Sequence, residues 1–424
     1  MKRLRWFVAV LAAAAAWPFA QNAHAGETKC ARLTRENVIA CALASSPSVR
    51  AQEYAAHASD ARREAASPWL PANPVASVSV GRRAPSTLYT SATLAQEVAI
   101  AGQRGARIDV ASAEHVGEEY RLVVARRRVA SDAWLAYFDV LAAEEELRLA
   151  SALESTGRRL VEAVTERADK GLVPPVDADL ADAAALRMMR MRLAAERRTR
   201  AARADLATRV GIDPSLPVAV EGQLEPLPAV DALARTALGA GRTATPPAVA
   251  ALEAEQRAAS ARAVLYRRMR VPNLTFSAFT ESKGPDEQVL ALGVSLPIPL
   301  PQPLGRTFSG EIAESEALAE RARAEADGLR RARRLALVTS LGAYDSRRTE
   351  RDAFTPERMR RAEQTLATLA AETEAGRLAI REAVLLQQQL IELLHAGLEA
   401  RHMLCIASVE LARAAEAPLE GGMR

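Results

Sequence analysis

Aromatic residues are scarce, at 4% of 424 positions. A chain this long with so few large rings is poorly supplied for one thick globular core, and its wealth of Ala, Arg, Glu and Leu suits long helices instead. Cysteine is nearly absent, with Cys30, Cys41 and Cys405 alone, so no disulfide framework defines the fold. Histidine is sparse as well. His57, His115, His395 and His402 are scattered without close metal-ligand spacing. His395, His402 and Cys405 share a helical stretch, but surface or packing roles suit them better than a metal site. There is no Gly-rich phosphate loop and no Ser-centred nucleophile elbow. These absences argue against an enzyme, and no cofactor or metal is expected. An excess of one charge sign is also missing. The 56 basic and 52 acidic residues become 53 and 52 once the first 25 positions, with Lys2, Arg3 and Arg5, are set aside. No basic footprint for nucleic acid remains.

Those first 25 residues read as an export signal. A basic start precedes the apolar run Trp6 to Ala16, and Ala23-His24-Ala25 gives a small-x-small cleavage site. The apolar run is shorter than the ~20 residues needed to span a bilayer. Glu27-Thr28-Lys29 before Cys30 are polar and charged, which does not fit a lipidated cysteine. In an oxidising compartment Cys30 and Cys41 either pair, pinning the N-terminus to the first helix, or stay as two thiols. Spacing alone does not choose.

What the chain does have is a long pattern written twice. Gly105 to Lys170 runs 66 residues without proline, and Gly310 to Ala375 runs another 66 with only Pro356. Each holds a related patch (Trp134-Leu135-Ala136-Tyr137-Phe138-Asp139 and Ser340-Leu341-Gly342-Ala343-Tyr344-Asp345) and each stops at a glycine, Gly171 or Gly376. Such a helix is roughly 100 Å long at ~1.5 Å per residue. Before each lies a period-two stretch, with Val75 to Val80 and Thr93 to Val98 in the first half, and Leu274 to Phe279 and Val289 to Leu296 in the second. These predict β-hairpins over about 75–98 and 274–296.

The expected organisation is therefore a signal over 1–25 and a first repeat over 26–209, with a helix from about Thr34 to Ser67, a hairpin, a long helix 105–170 and a helix 175–209. A proline-rich linker follows over 210–245, with a short helix near Asp231 to Leu238, outside the helical wall. The second repeat covers 246–415, with a helix 246–270, a hairpin, a long helix 310–375 and a helix 377–415, before a tail over 416–424. The paired shorter helices sum to about one long helix, so they can stack end to end beside it. Leu122, Val129, Leu153, Leu160 and Val164 offer a seam for lateral packing. Four strands cannot close a barrel, and open sheet edges are not tolerated in lipid. Strands that cross a membrane must therefore be pooled from several chains. Trp69 and Tyr89 are candidate interfacial anchors, though the hairpins lack rich aromatic girdles.

In order and spacing the chain resembles the TolC family of outer-membrane efflux channels. The resemblance rests on Leu33-Thr34 through Ala42-Leu43-Ala44 to Ser46-Pro47, on Leu70-Pro71-Ala72-Asn73-Pro74 ahead of the first hairpin, on Gly171-Leu172-Val173-Pro174-Pro175-Val176-Asp177 at a helical tip, and on Leu296-Pro297-Ile298-Pro299-Leu300 after the second hairpin. It implies a mainly α fold with a small β part, a homotrimer with a twelve-stranded outer-membrane barrel, and a long helical tunnel in the periplasm. Implied partners are a periplasmic adaptor (membrane fusion) protein, an inner-membrane RND-type pump and outer-membrane lipid. Gln96 to Arg107, with Ala101-Gly102-Gln103-Arg104, resembles the segment that heavy-metal-cation efflux members write with Gly-Gly, which leans the cargo toward metals, with drugs close behind. Alternatives are the exit channel of a type I protein-secretion system and a periplasmic helical scaffold with no pore.

The resemblance also places the gate at the helical tips. Asp177 matches the acidic position of the first tip, with Asp179 two residues on. Glu382 matches the first of two acidic positions after the second tip, and Leu385 stands where the other would be. Carboxylates from several chains at a narrow end attract cations, and pairing with Arg377 or Arg381 would lock the tips. Gly171 and Gly376 read as helix terminators, and the resemblance adds contact with the adaptor. The plainer reading is that these charges solvate helix ends.

Overall fold

The computed structural model describes residues 30, 32–83, 87–239, 245–284, 287–300 and 304–417. The expected export signal lies outside them, as do residues 418–424 of the tail. In chain order the elements are β1 (Arg32–Leu33), α1 (Val38–Ser45), α2 (Pro47–Ala66), β2 (Val75–Arg83), β3 (Thr87–Val98), α3 (Gln103–Asp169), α4 (Pro175–Arg209), β4 (Ala219–Val220), α5 (Val230–Gly239), α6 (Pro247–Met269), β5 (Leu274–Gly284), β6 (Glu287–Ser295), α7 (Ser309–Ala353), α8 (Pro356–Glu374) and α9 (Ile380–Ala414).

The 67-residue α3 is the spine, about 100 Å long. Helices α2 and α4 pack along it, α6 packs against both α3 and α7, and α9 packs on α7, α8 and α3. The second long helix, expected as one piece over 310–375, is instead two. Phe354 leaves helical geometry (φ −96°, ψ 65°), Thr355 caps the next helix by accepting from the Arg358 N–H at 3.3 Å, and Pro356 takes the first helical position. Proline has no N–H and its ring collides with the carbonyl four residues back, so a helix arriving from the N-terminal side stops there. The same chemistry divides the first helix. Ser46 accepts from Val49 N–H at 3.4 Å and Pro47 opens α2. At the α7–α8 break a cleft of about 970 Å³ opens between α3, α8 and α9, with Phe354, Met359, Leu149, Leu394 and Arg401 on its walls.

The main apolar core sits midway along the helices. Trp134, Tyr137 and Phe138 of α3 meet Leu33, Val38 and Cys41, Leu341 and Tyr344 of α7, and Leu404 and Leu411 of α9. Trp134 stacks on Phe138 at 5.4 Å between ring centroids, so this core holds an aromatic cluster of its own. The segment expected as a loop-like linker over 210–245 belongs to this core. Val218, Leu224, Leu227 and Val230 are buried there. Strand β4 pairs in parallel with β1 (Arg32↔Ala219, Leu33↔Val220). Tyr137 Oη donates to the Glu221 carbonyl at 2.7 Å, and Leu227 N–H donates to Ser408 Oγ at 3.0 Å. A Cys30–Cys41 disulfide ties the start of the described chain to α1. Glu416, at the start of the expected tail, pairs with both Arg127 of α3 and Arg333 of α7.

Smaller apolar clusters continue toward the tips. Leu153, Met188, Leu366 and Ile391 form one, and Leu160, Val164, Ala181 and Ile380 form the next. Within the expected seam, Leu153, Leu160 and Val164 are buried.

At the opposite end the four long strands make one antiparallel sheet in the order β2-β3-β5-β6. Pairing residues across the ladder sorts it into two faces. One carries Val78 and Val80, Ala92 and Leu94, Phe276 and Ala278, and Leu290, Leu292 and Val294. The other carries Ser77 and Ser79, Ser91 and Thr93, Ser277 and Phe279, and Ala291 and Gly293. On the apolar face Leu290 is 81% and Leu292 85% exposed, and on the other face Ser77 and Ser79 are exposed as well.

Candidate functional site

Two tips form the far end of the helices. At the first, α3 ends when Gly171 enters the left-handed region (φ 71°), with Leu172 N–H bonded to the Arg167 carbonyl and Gly171 N–H to the Ala168 carbonyl, each at 2.9 Å. At the second, Gly376 (φ 76°) ends α8 with the same pattern, Arg377 N–H to the Glu372 carbonyl at 2.9 Å and Gly376 N–H to the Thr373 carbonyl at 3.0 Å. Glycine adopts this conformation without steric cost. The second tip has a further constraint, because a Cβ at Gly376 would lie 2.5 Å from the Arg167 guanidinium. Pro174 and Pro175 then start α4, where proline's fixed φ suits a first turn. Helix α9 begins at Ile380, three residues later than the expected 377, because the Gly376 turn consumes Arg377.

The tips touch each other. Arg167 of α3 donates to the Thr373 carbonyl at 3.4 Å, and Ile380 packs on Leu160, Val164 and Ala181. Of the candidate residues, the structure brings Asp177 and Arg381 together, with Nε 3.5 Å from Oδ1. That oxygen is buried and accepts no hydrogen bond from the described residues. The pair is thus an ion pair without an aligned hydrogen bond, between an Asp177 side chain that is 16% exposed and an Arg381 side chain that is 73% exposed. Pairs so exposed on one side are worth about 0–1 kcal/mol. Arg377 does not join Asp177. It forks onto Glu372 across the Gly376 turn, with Nη2 2.7 Å from Oε1, and its hydrogen bond holds the Glu372 carboxyl below the usual carboxylate range. Asp179 and Glu382 are exposed and form no ion pair among the described residues. Asp177 and Glu382 lie in the first turns of α4 and α9, where a carboxylate also favours the helix dipole. Leu385, standing in for a second acid, is 58% exposed.

Sequence reasoning missed Arg167 and Thr373, which join the tips, and Glu372, which braces the second tip through Arg377. The Glu372–Arg377 pair had a readable signal, an acid and a base bracketing the helix-ending glycine. Arg167 had none, since its partner lies on the other repeat. Away from the tips, His402 Nε2 lies 2.8 Å from Asp139 Oδ1, and burial pushes the Cys405 thiol up to about 12. Trp69 is exposed with the Arg104 guanidinium 4.5 Å from its ring centroid, whereas Tyr89 lies on the polar face of the sheet. Among the described residues no helix is long and apolar enough to cross a membrane.

A hairpin pair forming an open sheet at one end, a spine of long helices and two touching helical tips at the other define the TolC-like fold of outer-membrane channels. Similar solved structures include a membrane protein from Pseudomonas aeruginosa (TM-score 0.72, 18% identity, 89% of this chain and 91% of that one). The MtrE outer-membrane channel of Neisseria gonorrhoeae in its open state is another (TM-score 0.70, 16% identity, 92% and 90%). The outer-membrane protein VceC from Vibrio cholerae also matches (TM-score 0.65, 20% identity, 92% and 96%). No protein-family model matches the sequence, and no curated protein matches it.

Proposed function

We propose that this chain is one third of an outer-membrane exit duct, passively conducting cargo delivered by an inner-membrane pump of the RND type and a periplasmic adaptor. The observation that carries the reading is the sheet. One face carries the larger aliphatic side chains, Val78, Val80, Leu94, Leu290, Leu292 and Val294, and the other is mostly Ser, Thr, Ala and Gly, with Phe279 and Tyr89 as large exceptions, a division of the kind expected between a lipid-facing and a lumen-facing surface. Strands of 9 to 12 residues match the ~9–11 residues that cross a bilayer when tilted. The outer strands β2 and β6 each leave one edge unpaired among the described residues, and lipid does not tolerate unpaired edges. Joining β6 of one copy to β2 of the next, three times, closes a twelve-stranded barrel. A pore-free scaffold has no use for such a sheet.

In this reading the tips are the gate. The Asp177–Arg381 pair is a weak latch between the repeats, and Asp177, Asp179 and Glu382 supply negative charge where three copies converge. Cation passage, and with it the metal-efflux variant of the function, is the finer reading that this charge supports. Cell fractionation with cross-linking tests the proposal. The protein is expected in the outer-membrane fraction as a trimer. Recovery as a soluble periplasmic monomer would overturn it.

A further inference from the structure

Most arginines along the helices face carboxylates, as Arg203 faces Glu144 and Arg330 faces Asp327 and Glu253. Arg104, Arg268 and Arg270 at the sheet end do not, and neither does neighbouring Arg107, whose Nε is buried without a hydrogen-bond partner among the described residues. Arg104, in the first turn of α3, donates from Nε to the Ser67 carbonyl at 2.7 Å. Arg268, near the end of α6, donates from Nη1 to the Gly102 carbonyl at 2.7 Å. Arg270, which caps α6, donates from Nε to the Thr307 carbonyl at 2.9 Å. These bonds link α3 to α2, α6 to α3, and α6 to the segment before α7, so the three guanidinium groups form a row across the helix ends below the sheet. Among the described residues none of them has a carboxylate partner. Three acids of this end are engaged elsewhere: Glu97 accepts from Asn273 at 2.7 Å, Glu311 faces Arg306, and Glu316 faces Arg267.

The row is flanked by exposed apolar side chains. Trp69, Ile298 and Leu304 are each at least 80% exposed, and Leu70 and Ile100 are exposed as well. The Arg104 guanidinium lies over the Trp69 ring. Exposed tryptophan and aliphatic groups beside cations that have no carboxylate partner among the described residues describe a surface that is apolar on one side and anion-seeking on the other. A carbonyl satisfies one N–H and leaves the net charge. The two Nη groups of Arg104 and of Arg270 are not used in those bonds, and a planar guanidinium presents such groups to phosphate oxygens in pairs.

We infer that Arg104, Arg268 and Arg270 form a collar that binds the phosphate headgroups of anionic phospholipid in the periplasmic leaflet of the outer membrane. The inference rests on the outer-membrane reading above. A trimer would carry nine such charges in a ring, which makes the interaction a preference for negatively charged lipid and sensitive to salt.

The test uses the purified full-length trimer in detergent, with thermal unfolding followed after adding phosphatidylglycerol, phosphatidylcholine or inorganic phosphate, and with channel conductance recorded separately in bilayers. Phosphatidylglycerol is expected to raise the midpoint by several degrees more than phosphatidylcholine does, the difference fading at high salt. The Arg104→Gln, Arg268→Gln, Arg270→Gln triple variant is expected to lose that difference. Arg270→Gln alone, which removes one bond to a surface segment, is expected to lose part of it if the triple variant does not assemble. Equal shifts with both lipids, an equal shift with inorganic phosphate, or a lipid preference that survives these substitutions would overturn the collar while leaving a conducting channel intact. A protein that never conducts would instead count against the channel reading.

Discussion

Leu292 and Ala291 are neighbours in β6, and the sheet places them on opposite faces. Leu292 lies on the exposed apolar face opposite Ala278, and Ala291 on the polar face opposite Phe279. Both sit near the middle of a strand running from Glu287 to Ser295, so both would be near the bilayer midplane. In the proposed barrel, arginine at Leu292 would put a charge into lipid, at a cost of about 2–4 kcal/mol per copy. Across three copies that is about 6–12 kcal/mol, and each ~1.4 kcal/mol is tenfold in the folded-to-unfolded ratio. Arginine at Ala291 would face the proposed lumen and is expected to change stability by only about 0.5 kcal/mol, as on an ordinary surface. Urea titration of each variant in phosphatidylcholine vesicles, read beside the temperature at which the SDS-resistant trimer dissociates, measures the contrast. Leu292→Arg should fail to fold or dissociate many degrees lower, while Ala291→Arg should resemble the parent. If Ala291→Arg is the more damaging of the two, the faces have been assigned backwards. If neither matters, the sheet does not contact lipid.

Other expectations follow from single contacts. Asp177→Asn removes the charge that faces Arg381, and Glu382→Gln removes an exposed charge beside it; planar-bilayer recordings should find altered cation selectivity or closed-state leak in at least one, and unchanged values in both remove the gate assignment. Tyr137→Phe deletes the donor to the Glu221 carbonyl and should cost about 0.5–1.5 kcal/mol in denaturant titration. Burial raises the Tyr137 pKa above 10.0, so folding favours the neutral phenol. Its contribution is complete below about pH 10, the unfolded value, and declines above it as the unfolded chain ionises. A pH titration of stability should show that alkaline decline shrink in Tyr137→Phe. Reducing or removing the Cys30–Cys41 disulfide releases a short loop and should lower stability by about 3 kcal/mol on the chain-entropy model, read as a melting difference with and without reductant; an unchanged midpoint would mean the N-terminal segment is held by packing alone.

Much of this architecture is written locally. Alternation in Val75–Val80 and in Leu274–Phe279 exposes strands because side chains must sort to two faces, and a proline-free run ending at Gly171 exposes α3 because only two kinds of residue punctuate a helix so sharply. The long pattern over 310–375 hid a break that was legible in principle. Thr355-Pro356 pairs an N-cap hydroxyl with a residue suited to the first helical position, as Ser46-Pro47 does between α1 and α2. Reading Pro356 as a tolerated exception underweighted its missing N–H. The parallel pairing of β1 with β4 could not be read, since two-residue strands nearly 190 positions apart carry no periodicity of their own. Their partner is chosen by the core around Trp134 and Tyr137. At the tips the candidate residues were legible by type and position, but their pairing was not. Arg377 and Arg381 are four residues apart, and the turn at Gly376 decides that one faces Glu372 and the other Asp177.

The most direct test of the account is single-channel recording in planar bilayers of the purified protein, with its mass in detergent measured on the same sample. The account predicts particles of three chains that insert and produce discrete ionic conductance steps. Correctly folded protein that remains a single chain and never conducts would contradict it.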